Sequence, residues 1–174
     1  MIELRNAFTM YKLIGLDING TLDKINKYPY MFVTITNALE DSFIMQLYKM
    51  LSSSEKKSIK TMINLCKINK RHFQDSQKLE HELDDFEKYL NSQQNIIKNI
   101  NKIRNKLLAH SDRDYFKHPD QVLKESPIKN EEFESLIEEI YSRVKKICAM
   151  LQPFMMIDWQ EEMENEWNDL IEKI

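Results

Sequence analysis

The sequence predicts an all-α chain. Only two glycines and four prolines punctuate 174 residues, so turns are few and elements are long, which favours helices over a sandwich or barrel. Apolar residues recur at three- and four-residue spacing through most segments. Hydrophobic content of 42% with 30% charge is ordinary for a globular chain and excludes wholesale disorder. At this length one domain, spanning 1–174 around a single core, is expected.

The elements follow in order. Residues 2–26 carry Ile2, Leu4, Phe8, Tyr11, Ile14, Ile18, Leu22 and Ile25 at helical intervals, with Gly15 and Asn19-Gly20 as places to bend or end. Pro29 suits the first turn of a helix over 29–51, in which Phe32, Ile35, Leu39, Phe43, Ile44, Leu47 and Leu51 keep the period. Ser52-Ser53-Ser54 forms a polar junction, and a serine before Glu55 and the lysines starts a third helix near 55–69. Over 74–91, Leu79, Leu83, Phe86 and Leu90 repeat helically, and another helix spans 92–110. Its end is expected at His110-Ser111-Asp112, because Ser and Asp compete with helix hydrogen bonds. Pro119 and Pro127 bracket an irregular or short-helical insert, 112–129. Asn130 is expected to cap a helix running to about Gln152, with Phe133, Leu136, Ile137, Ile140, Val144 and Ile147 inward, before Pro153 ends it. Asp158 and Glu161 fit a capping box for an acidic last helix, 159–173. Six or seven helices result, with no internal repeat.

Several function classes are unsupported. Cys66 and Cys148 are too few for a disulfide framework or zinc site, and their apolar surroundings suit buried thiols. His72 and His81 lack the Glu three residues earlier that a di-metal bundle uses, so both read as surface residues. No glycine-flanked serine nucleophile and no phosphate-cradling glycine loop occurs. Neither metal nor cofactor is therefore expected. The N-terminus has no uninterrupted apolar stretch and nothing reaches a membrane span, so a cytoplasmic protein is expected.

The net charge of −3 conceals segregation: from Lys88 to Ser111 there are five basic residues and no acid. Laid on a helix at 100° per residue, Ile96, Ile97, Ile100, Ile103, Leu107 and Leu108 gather in one arc. Arg104 falls in its middle, while Lys98, Lys102, Asn105 and Lys106 face the other way. A guanidinium keeps its charge, and burying it unpaired is costly. It requires a partner, an anion or a cleft. Six residues on stands His110, able to move protons near neutral pH.

The residues alone leave alternatives open. Arg104 can serve a structural ion pair with Asp112, Asp114 or an acid from another helix. His110 can interact with free carbonyls at its helix end. Asp112 can orient His110 or cap the next turn. Tyr115 and Phe116 suit stacking on bases or an apolar contact equally well.

The run Ile103-Arg104-Asn105-Lys106-Leu107-Leu108-Ala109-His110-Ser111-Asp112 resembles the motif of the HEPN superfamily, an arginine followed by a polar residue and then a histidine after four to six others. With the aromatic-rich segment YPYMFVTITNALEDSFIMQLYKML, it most resembles the branch tied to abortive-infection type U proteins. The resemblance implies a bundle of four core helices with additional helices, forming a homodimer that brings two Arg/His pairs into one cleft. Many members are metal-independent ribonucleases acting as toxins or in antiphage defence, held in check by an antitoxin or other regulator. Others keep only RNA or protein binding. Arg104 and His110 match the catalytic pair, and Asn105 the supporting polar neighbour.

The chemistry fits these residue types. Attack of a 2′-hydroxyl on its phosphate needs proton transfer, which His110 can supply. It also needs stabilisation of growing negative charge, which Arg104 can supply through paired hydrogen bonds. Lys102, Lys106 and Tyr115 are candidate RNA contacts. In an unbroken α-helix, residues six apart diverge by about 120°. Sharing a site therefore requires fraying near Ala109 or a meeting across a two-fold axis. This geometry independently favours a homodimer.

Overall fold

The computed structural model describes residues 1–15, 22–109, 124–151 and 160–173. It is all-α, with no strand among those residues. The helices are α1 (Ile2–Gly15), α2 (Leu22–Ile25), α3 (Pro29–Leu51), α4 (Ile59–Ile68), α5 (Ser76–Ser92), α6 (Gln94–Ile103), α7 (Asn130–Leu151) and α8 (Gln160–Lys173). A 3₁₀ turn, Lys70–His72, precedes α5, and a π-helical turn, Arg104–Ala109, follows α6. The chain divides into two compact units, Met1–Ile44 with Ile157–Ile174, and Met45–Met156.

In the first unit, Leu13, Ile14, Ile25, Phe32, Trp167 and Ile171 form one buried cluster, with Met10 and Leu39 packed against it. Phe32 meets Trp167 edge-on, ring centres 6.2 Å apart, an arrangement that aligns ring edge with ring face. Phe8 and Tyr11 both lie 5.2 Å from Phe43. Lys24 Nζ donates to the Ile171 carbonyl at 2.7 Å, satisfying a backbone acceptor near the end of α8.

Ile35 departs from expectation. It is 37% exposed, because the inward line of α3 runs through Phe32, Leu39 and Phe43 and Ile35 falls about 60° to one side. Tyr28, Tyr30, Met31 and Val33 are exposed as well.

The second unit is built on Leu47 from α3, Ile59 and Ile63 from α4, Leu79, Leu83 and Phe86 from α5, Ile97, Ile100 and Ile103 from α6, and Phe133, Leu136, Ile137, Ile140 and Ile147 from α7, all buried. Val144 is only half-buried. Ser58, not Ser54, begins α4: its hydroxyl accepts from the Thr61 N–H, the N-cap bond that short polar side chains supply. Asp75 does the same for α5, accepting from Lys78 N–H at 2.9 Å.

At α7 the expected Asn130 cap is replaced. Asn130 is already helical, and the Glu132 carboxylate accepts from the Lys129 N–H at 2.7 Å. This is the reaching-back half of a capping box. The proposed cap at Asp158 lies outside the described residues. His72 and His81 are exposed, as expected of surface residues, and His81 Nδ1 sits 3.0 Å from Asp85. Among the described residues, no helix is long and apolar enough to cross a membrane.

Candidate functional site

Alpha-helix α6 places the motif arginine. Ile97, Ile100 and Ile103 are buried, anchoring one side of the helix in the second unit's core. Their three- and four-residue spacing keeps that side continuous. Ile96, expected in the same arc, is half-buried at its edge. Arg104 closes α6 in α-helical conformation, φ −55° and ψ −47°. From there the backbone adopts π winding through Ala109. The expected α-helical continuation is thus corrected: hydrogen bonds advance by five residues instead of four, a widening common at functional sites.

Arg104 is half-buried. Its guanidinium carbon stands 4.3 Å from the centre of the Tyr48 ring on α3, close enough for the ring face to attract the cation. Nη1 donates to Asn105 Oδ1 at 2.8 Å. Nε is buried and has no acceptor among the described residues, and no described carboxylate lies within ion-pair distance of the guanidinium. The group is held by an aromatic face and a neutral amide, leaving part of its donor capacity unmatched.

Asn101, one turn earlier on the same side, has a buried Oδ1 that also lacks a partner among the described residues. Two lysines of the opposite side are engaged. Lys102 lies 3.1 Å and Lys106 3.7 Å from one Glu125 oxygen, and Lys102 also donates to the Glu125 carbonyl at 3.4 Å. Arg104 and Asn105 are therefore brought together, and Lys102 and Lys106 converge on Glu125. His110, Asp112, Asp114, Tyr115 and Phe116 lie outside the described residues.

Tyr48, Asn101 and Glu125 were not marked by sequence reasoning. Tyr48 precedes Arg104 by more than fifty residues, and nothing in its local pattern separates it from core aromatics. Among the described residues, no group of three His, Cys, Asp or Glu side chains is placed to hold a metal ion. Cys66 and Cys148 are free and half-buried. Burial pushes both thiols upward, and their proximity adds to the shift at Cys66.

The family model described as AbiU2, of HEPN type, matches residues 11–170. The match takes in both compact units and the whole Arg104-to-His110 motif. No curated protein and no solved structure matches the chain.

Proposed function

The chain belongs to the AbiU2 family of HEPN type, and on that premise we propose that it is a metal-independent endoribonuclease acting in abortive infection. Arg104 and His110 are its catalytic residues. The observation that carries this reading is Arg104 itself. It occupies the inward side of a basic helix, lies over Tyr48 and has no described carboxylate partner. A cation so placed is available to phosphate oxygens without first breaking an ion pair.

In the proposed reaction, the 2′-hydroxyl loses its proton to a general base and attacks the adjacent phosphorus. The 5′-oxygen leaves with a proton from a general acid. His110 performs one or both transfers, and Arg104 stabilises the charge that accumulates on the non-bridging oxygens. The products are a 2′,3′-cyclic phosphate and a 5′-hydroxyl. Asn105 holds the guanidinium in place through its 2.8 Å bond, and Asp112 orients His110 or caps the following turn.

The active form is a homodimer in which two Arg/His pairs share a cleft. Four large apolar side chains exposed near the start of α3, Tyr30, Met31, Val33 and Ile35, support self-association, which would cover some of them. An antitoxin or other regulator would keep such an activity silent, and the cytoplasm is where the protein would meet its RNA.

The test is cleavage of mixed RNA by purified protein in excess chelator, alongside His110→Ala and Arg104→Ala. Wild-type cleavage lost in both variants supports the proposal. Cleavage that persists in both removes these residues from catalysis. RNA binding without cleavage would favour the second reading, a non-catalytic binding module on the same fold, for which the basic helix provides the motivating observation.

A further inference from the structure

A pocket of about 480 Å³ opens one turn from Arg104 within the second unit. Its walls combine the end of α3 (Leu51) with the two serines after it (Ser52, Ser53), α4 (Ile59, Lys60, Ile63), α5 (Glu87, Leu90, Asn91) and α6 (Gln94, Ile97, Asn101). Five aliphatic side chains line part of it, while three carboxamides, two hydroxyls, Lys60 and Glu87 make the larger share of the lining polar and give it directional donors and acceptors. In a concave site, convergent polar groups of this kind fix the orientation of a small ligand through its hydrogen bonds.

Both walls lead toward the motif arginine. Asn101 precedes Arg104 by three positions on α6, and Tyr48, beneath the guanidinium, precedes Leu51 by three on α3. One helical turn is about 5.4 Å, a step on the scale of a single nucleotide. The polar groups left unmatched are complementary to the two ends of such a ligand. Arg104 Nε is a donor without an acceptor, and Asn101 Oδ1 is an acceptor without a donor, among the described residues. A phosphate supplies acceptors, and the edge of a nucleobase supplies N–H donors. The terminal torsion of asparagine is soft, so Asn101 can turn its amide toward the pocket it already lines.

Charge agrees. Glu87 is the pocket's one acid, and its carboxylate receives a 2.8 Å bond from Lys67. Lys60 adds a positive group at the rim. An anionic nucleotide therefore meets no uncompensated negative wall.

We infer that this pocket is a base-recognition subsite for the RNA strand whose phosphate Arg104 holds, with Asn101, Gln94 and Asn91 reading the base edge against an aliphatic floor. The inference rests on the ribonuclease reading and extends it from cleavage to sequence preference.

The test uses the full chain and four fluorescent single-stranded oligoribonucleotides, all A, C, G or U, made uncleavable by 2′-O-methyl groups, with binding read by anisotropy. Wild type should separate its best and worst oligomers by roughly tenfold, the discrimination a good amide–base contact provides. Asn101→Ala should flatten that preference, as should Gln94→Ala at an exposed position that does not threaten folding. Arg104→Ala should weaken all four alike, as loss of a phosphate contact does.

No wild-type preference overturns the inference. So does a preference unchanged in both amide variants; if Arg104→Ala still weakens binding, the cleavage reading survives that failure. Binding indifferent to Arg104 removes the cleavage reading and this subsite together.

Discussion

Replacing Arg104 by methionine should abolish activity without destabilising the protein. A cation kept for folding and one kept for chemistry differ in what their removal does. Arg104 Nε is buried without an acceptor among the described residues, a condition that costs about 1–3 kcal/mol. Against this stands the Tyr48 contact at 4.3 Å, which contributes about 0.5–2 kcal/mol. The bond to exposed Asn105 adds about 1 kcal/mol or less. Methionine has nearly the same reach, and its sulfur can restore about 0.3–1.5 kcal/mol against the ring. At their midpoints the terms sum to about 1 kcal/mol in favour of the variant, with extremes of about 2 kcal/mol against it and about 4 kcal/mol in its favour.

For a chain of this size, each kcal/mol moves the melting temperature by about 2–4 °C. Urea unfolding followed by circular dichroism at 222 nm should therefore give Arg104→Met a midpoint close to or above wild type, with the slope unchanged. A loss of about 3–5 kcal/mol is the mark of a broken buried ion pair. That result would show Asp112, Asp114 or another acid paired with Arg104, and would refute the reasoning.

Further expectations follow from the same geometry. Tyr48→Phe should keep most RNA cleavage, because the ring face remains, whereas Tyr48→Leu should lower kcat at least tenfold while folding normally; equal losses in both would implicate the hydroxyl instead of the ring. Leu83→Ala, at a fully buried position on α5, should cost about 2–5 kcal/mol in urea unfolding, and a cost below 1 kcal/mol would mean the second unit's core is wrongly assigned. Ser58→Ala should cost about 1 kcal/mol through loss of the α4 cap, where Ser54→Ala should cost almost nothing. Cys66 and Cys148, with thiols pushed above the ordinary range, should alkylate more slowly than free cysteine at pH 8; fast labelling of the native protein would contradict their described burial.

Stability should also decline at both pH extremes. The Lys88 hydrogen bond, aided by His81 and Arg143, holds Asp85 below the usual carboxylate range. Its contribution is thus present above about pH 3.9 and lost as pH falls through its folded value. Hydrogen bonds from Lys67 to Glu87 and Asp84 raise the lysine, so its contribution is complete below about pH 10.4 and lost as pH rises through its folded value. Thermal melts of wild type and Asp85→Asn between pH 3 and 6 check the acid limb, which the variant should make shallower.

Much of this fold was legible because its signals are local. Pro29 and the serine run bracket α3, and the Leu79–Leu83–Phe86 period marks α5, each found where those residues put it. The start of α4 was misplaced because three serines and a lysine run offer several caps, and only Ser58 bonds to the first turn. The cap of α7 was hidden for another reason: Lys129 lacks a capping side chain, and Glu132 supplies the bond from inside the helix. At the site, Arg104 was marked by its charge within an apolar arc. Its Tyr48 partner and the π turn were not, since both depend on how distant segments pack. The base pocket was equally invisible, because four helices each contribute only a few of its residues.

The most direct measurement is to identify the ends left on a defined RNA oligonucleotide cut in chelator. Mass spectrometry should find a 2′,3′-cyclic phosphate and a 5′-hydroxyl, and a single 2′-O-methyl group at the cleaved position should block the cut. A 3′-hydroxyl with a 5′-phosphate, or cutting past the blocked position, would contradict attack by the 2′-oxygen and with it the roles given to Arg104 and His110.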